Sequence, residues 1–166
     1  MVRGGGRLGG LSFTVFHVGK PRVPFVRAGI EHYRKKIQPY ASLELKTVRE
    51  EPLRKGSAPQ GIHRRERERL KKAMDTRTTW VVLDENSEAL GSEAFASLLE
   101  EWMVHGRSRV AFLIGGPIGL PPEIREGASL LLSLSPMTLS HEMTILVLME
   151  QLYRALAILN RLPYPK

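Results

Sequence analysis

At 166 residues, with 42% hydrophobic and 25% charged side chains, the chain has the size of one domain with a substantial core. It contains no cysteine, which excludes a disulfide framework, a thiolate zinc site and cysteine catalysis, and fits a reducing, cytoplasmic setting. The net charge of +8 is held unevenly: 19 Lys and Arg face 7 Asp and Glu in residues 1–78, against 6 and 10 in residues 79–166. Any polyanion-binding face therefore belongs to the first half, with an ordinary solvated basic surface as the alternative.

Met1–Gly10 is glycine-rich without an apolar core, so it reads as a disordered extension rather than a signal peptide, ahead of a single domain over residues 11–166. No apolar run is long enough to cross a bilayer. Leu11–Val18 (LSFTVFHV) predicts a first strand, and Val23–Lys36 has helical spacing with Phe25, Ile30 and Tyr33 available to one face. Leu43–Val48 alternates and predicts a second strand. Glu51–Gly61 holds two prolines and two glycines and predicts a loop, followed by a highly charged helix over Ile62–Met74. Thr79–Leu83 (TWVVL) predicts a buried strand that ends in Asp84-Glu85-Asn86.

Ser92–Val104 predicts a helix with Ser92 as N-cap and Phe95, Leu98, Leu99 and Trp102 as its apolar stripe. A strand over Val110–Ile114, a short helix opened by Pro121-Pro122, an apolar segment over Leu130–Leu134 and a loop over Ser135–Ser140 follow. Ser140 or His141 then starts a long helix running to about Asn160. Strands alternating with helices predict an α/β fold, a mostly parallel sheet flanked by helices on both faces. The last helix is apolar around most of its circumference, from Met143 to Leu159. Either a second subunit or the monomer itself must cover it, and the first option predicts a dimer.

Three groups of residues are candidates for chemistry. Gly115-Gly-Pro-Ile-Gly119 follows a buried strand, where open α/β sheets place their ligands, and its glycines permit close backbone approach. Its spacing matches neither G-x-G-x-x-G nor G-x-x-x-x-G-K-[ST], so nicotinamide dinucleotides and nucleoside triphosphates are poorly supported, and tight packing at a strand end is the alternative. In Ile62–Lys72 (IHRRERERLKK) Glu66 and Glu68 offset part of the positive charge. Lys20, Arg22, Arg27, Arg34, Lys35 and Lys36 are less compensated and are the better candidates for RNA contact. The five histidines have no partners at metal-ligand spacing, so no metal is expected. His141 is of interest because it opens the last helix directly after the 135–140 loop.

Leu113-Ile-Gly-Gly-Pro-Ile-Gly119, Ser135-Pro-Met-Thr-Leu-Ser-His141 and Glu150-Gln-Leu-Tyr-Arg-Ala155 together resemble the signatures of the ribosomal large-subunit pseudouridine N3-methyltransferases, of the SPOUT class. Phe16-His-Val-Gly-Lys20 and Pro163-Tyr164 fit the same family, and the resemblance spans residues 12–166. It implies a carboxy-terminal deep trefoil knot, which general folding rules do not suggest, and a homodimer. It further implies S-adenosyl-L-methionine as methyl donor and a pseudouridine of 23S rRNA, in the large subunit or assembled ribosome, as substrate. Carried over by position, Leu83, Gly115, Gly116, Gly119, Ser135, Pro136, Met137, Thr138, Leu139 and Ser140 would surround the donor. His141 and Tyr164 are the candidates for the catalytic step. The chain departs from the family at Pro165, where a histidine is usual, and at Ile145, where many members carry arginine. The Pro165 departure raises an alternative: a ribosome-binding homologue that keeps the fold and donor site with impaired catalysis.

Overall fold

The computed structural model describes residues 10–49, 68–70, 72–73, 75–116 and 119–164. The amino-terminal extension, the 51–61 loop, most of the 62–74 helix and Pro165 therefore lie outside the described residues; 68–70 and 72–73 are helical. In chain order the elements are β1 (Ser12–Val18), α1 (Pro24–Ile37), β2 (Ser42–Val48), β3 (Thr79–Leu83), α2 (Ser92–Val104), β4 (Arg109–Ile114), α3 (Pro122–Glu126), β5 (Leu130–Leu132) and α4 (His141–Leu159).

The five strands form one sheet in the order β2-β1-β4-β3-β5, and each neighbouring pair is parallel. Strand periodicity divides the core into two layers. Phe13, Val15, Val81, Phe112 and Ile114 face α1, α2 and α4 and pack on Val26, Ile30, Phe95, Leu99, Ile145, Leu148 and Leu152. The alternate residues Phe16, Trp80, Val82, Ala111 and Leu113 face the other way, toward Leu70 and Ile124. Central strands buried on both faces explain why TWVVL and RVAFLI read as unbroken apolar runs, whereas edge strand β2 alternates half-buried Leu43 and Leu45 with exposed Glu44 and Lys46.

The apolar circumference of α4 is largely covered within the chain. Ile145, Leu148, Met149, Leu152, Ala155, Leu156 and Ala157 are buried, and Met143, Leu146, Tyr153 and Leu159 are partly buried against the same cluster. One local expectation fails. Gly91, not Ser92, is the N-cap of α2; Ser92 is already helical, and its hydroxyl donates to Gln151 Oε1 of α4 at 2.7 Å. A serine's capacity to cap was outweighed by a tertiary partner that only the folded chain supplies.

Candidate functional site

A cleft of about 440 Å³ opens at the carboxy-terminal ends of β3, β4 and β5. Three loops build it: residues 84–86 after β3, Gly115, Gly116, Gly119 and Leu120 after β4, and residues 133–139 after β5; His141 and Thr144 of α4 close one side. Open parallel sheets bind ligands at this edge, because loops diverge there and leave backbone groups unpaired.

The glycine turn is tight. A Cβ on Gly115 would lie 2.8 Å from Leu120 Cγ and 3.1 Å from the Gly119 carbonyl carbon, and one on Gly116 would lie 3.1 Å from Val18 Cγ1. Gly119 has φ of +73°, which L side chains rarely adopt, and its N–H closes the turn by donating to Gly116 O at 2.9 Å. His141 holds the turn from outside: its Nδ1–H donates to Gly115 O at 2.7 Å. In the tautomer that carries this proton on Nδ1, Nε2 is the acceptor. Nε2 is enclosed and has no hydrogen-bond partner among the described residues. A buried polar atom left in that state costs about 1–3 kcal/mol, so a ligand group with a proton to give would be favoured there.

His17 lies beneath this corner, 4% exposed. Its Nδ1–H donates to Gly19 O at 2.7 Å, and Thr47 Oγ1 lies 3.5 Å from Nε2. Burial lowers its pKa, the Gly19 carbonyl partly opposes this, and the neighbouring His141 lowers it further. On the opposite wall Asp84 pairs with Arg125 of α3 and also accepts from the Asn86 N–H at 3.1 Å.

Of the residues expected around a donor, Leu83, Gly115, Gly116, Gly119, Ser135, Met137, Thr138 and Leu139 line the cleft. Pro136 and Ser140 are not among its lining residues; Ser140 instead caps α4, accepting from Met143 N at 3.4 Å. Asp84, Glu85, Asn86, Arg125, Ser133 and Thr144 line it too and were not singled out from sequence. The polar run that ends β3 was the available signal for the first three. Arg125 and Thr144 carried none.

The family model described as "Predicted SPOUT methyltransferase" matches residues 11–165. The chain belongs to the SPOUT methyltransferase family. Relatives named ribosomal RNA large subunit methyltransferase H include one from Thermus thermophilus, 44% identical over 93% of this chain and 98% of its own. Another, from Acetivibrio thermocellus, is 38% identical over 93% and 99%. Among solved structures, a probable methylase family protein from Haemophilus influenzae matches with a TM-score of 0.50 at 14% identity, over 94% of this chain and 72% of that one, a likeness of fold. The family implies S-adenosylmethionine as methyl donor; in the cleft Gly115 and Gly116 stand too close to Leu120 and Val18 for a Cβ, and His141 Nε2 has no hydrogen-bond partner among the described residues.

Tyr164 stands elsewhere. Its hydroxyl donates to Glu150 Oε1 at 3.2 Å and lies 3.3 Å from the Tyr33 hydroxyl, with Arg154 4.5 Å from its ring centre. Burial, then the Tyr33 bond and the Glu150 charge, raise its pKa well above the usual phenol value, so it is a neutral phenol at physiological pH. The first residue of α4 touches the cleft and Tyr164 packs on Tyr153, which puts about 18 Å of helix between them.

The basic candidates divide in the same way. Lys20 and Arg22 are exposed on the loop after β1, at the cleft's edge of the sheet. Arg27 is exposed on α1, whereas Arg34 and Lys35 lie at its far end, where Arg34 pairs with Glu31 at 3.6 Å. Among the described residues no cluster of metal-ligating side chains occurs, and no helix is long and apolar enough to cross a membrane.

Proposed function

We propose that this chain transfers a methyl group from S-adenosylmethionine to N3 of a pseudouridine in 23S rRNA, on the large subunit or assembled ribosome, as a cytoplasmic homodimer. The observation that carries the reading is the glycine-walled cleft, formed by the segments that resemble the family signatures, in a chain whose relatives are named for large-subunit rRNA methylation. The reading includes the trefoil knot. In its support, the chain passes from α3, packed with Ile124 on one sheet face, through the 133–140 loop to α4 on the other.

Bound in the cleft, the donor supplies an electrophilic methyl group on a sulfonium centre. Gly115, Gly116, Ser135, Met137, Thr138 and Leu139, which line the cleft, would hold it. The substrate's N3–H is a weakly acidic imide, so it must lose its proton at or near attack. In this reading His141 accepts that proton at Nε2, its Nδ1–H being held by the Gly115 carbonyl. Orientation of the two reactants supplies much of the remaining gain. Tyr164 is not among the residues lining this cleft, so the part proposed for it in transfer is at the cleft of a second copy.

The test is incubation with labelled donor and ribosomes carrying pseudouridine or uridine at the target. Transfer to the pseudouridine ribosomes and little to the uridine ones is expected. Tight donor binding without transfer would instead favour the ribosome-binding homologue with impaired catalysis, the reading that Pro165 in place of a histidine supports.

A further inference from the structure

Helix α1 begins without a cap of its own. Val23 occupies the N-cap with no side-chain hydrogen bond, Pro24 opens the helix, and no acidic residue stands in its first turn. The two amides at its entry are held from the other end of the chain. Arg22 N and Val23 N donate to the two carboxylate oxygens of Glu142, at 2.8 and 2.9 Å. These two bonds, that from Arg22 foremost, hold the Glu142 carboxyl below its ordinary range, and the His141 and Arg22 side chains add to the effect. Glu142 also lies in the first turn of α4, so one negative charge serves two helix N-termini.

His141, the residue before it, holds Gly115 O of the glycine turn. Successive side chains of one helical turn therefore fix two loops: one walls the donor cleft, and the other carries exposed Lys20 and Arg22. The turn that carries them is itself fixed, since Ile145, Leu148 and Met149 just beyond are fully buried. The glycine turn and the 20–23 segment are thus held by adjacent residues of one rigid helix start, so ordering either one on ligand binding favours the placement of the other.

We propose that Glu142 is a positioning residue that ties the placement of the Lys20–Val23 segment to occupancy of the donor cleft, so that donor and RNA bind with positive coupling. The proposal rests on the rRNA methyltransferase reading and adds to it a residue that touches neither reactant. The geometry uses both acceptor oxygens of one carboxylate. Glu142→Gln keeps one acceptor and turns an NH₂ donor toward an N–H. Glu142→Asp keeps the charge and shortens the arm.

The experiment measures ribosome affinity with and without saturating S-adenosylhomocysteine, and S-adenosylhomocysteine affinity with and without ribosomes. In the unaltered protein each ligand should tighten the other by the same factor, because coupling is reciprocal. In both Glu142→Gln and Glu142→Asp that factor should fall close to one and ribosome affinity should weaken by about tenfold, the scale of one charge-assisted bond. S-adenosylhomocysteine affinity without ribosomes should stay within about twofold, which a general loss of folding would not allow. Retention of the coupling factor in either variant, or its absence in the unaltered protein, overturns the proposal. If the unaltered protein binds S-adenosylhomocysteine but not ribosomes, the rRNA reading itself fails and the proposal with it.

Discussion

Gly115 has no room for a side chain, and what would meet it is backbone as well as Leu120. Gly115→Ala must displace the Gly119–Leu120 part of the turn, at an overpacking cost of about 1–3 kcal/mol. Because that turn walls the cleft, donor affinity measured by calorimetry should fall by about tenfold or more; unchanged affinity would place the donor elsewhere. His17 carries a second prediction at this scale. Burial depresses its folded-state pKa below the unfolded value of about 6.5. Between those two values the unfolded chain binds a proton that the folded one refuses, so stability falls as pH drops through that window and is retained above it. Urea unfolding from pH 7.5 to 5 should show this slope, and His17→Asn should flatten it. An equal slope in both proteins would assign the acid sensitivity to other groups.

At the scale of elements, the sequence was legible because most elements are simple. Strands β1 to β4, and the helices over 24–37, 92–104 and 141–159, fall within about two residues of their periodic patterns, whereas β5 read only as an apolar segment. The pairing of elements was not legible. Glu142 caps α1 across 119 residues, and His141 reaches Gly115 across 26, contacts that no local pattern in a single sequence encodes. The all-round apolar character of α4 is met largely by α1, α2 and the sheet, so this feature alone is a weak argument for a dimer. Where α1 crosses α4, Gly29 makes space for Leu146; a Cβ there would come within 2.7 Å of Leu146 Cδ1. That contact is the flexible end of a side chain. Gly29→Ala should be near neutral in thermal unfolding, since about 0.8–1 kcal/mol of helix propensity offsets the adjustment. Gly29→Leu cannot be absorbed so easily and should cost about 1–3 kcal/mol. A destabilised alanine variant would show that Leu146 is held more rigidly than its neighbours suggest.

At the scale of the molecule, parallel strands decide which charges stand near the cleft. Because β1 and β2 run the same way, α1 must return from the carboxy-terminal edge of the sheet to the other edge. Lys20 and Arg22 therefore lie at the cleft's edge, while Arg34 and Lys35 lie a helix length away, about 20 Å. The charge count located the basic half but had no means of dividing it. If RNA enters over the cleft, reversing Lys20, Arg22 and Arg27 to glutamate should weaken ribosome binding far more than reversing Arg34 and Lys35. The salt dependence should separate the two sets further. Removing one cation from a phosphate lowers the slope of log affinity against log salt by about 0.7–0.9, so the first set should flatten it and the second should change it little. Donor affinity should remain nearly constant in both, since none of these side chains lines the cleft. Equal losses in the two sets would mean that RNA runs along the whole of α1, or that the far end meets the ribosome through a second copy of the chain.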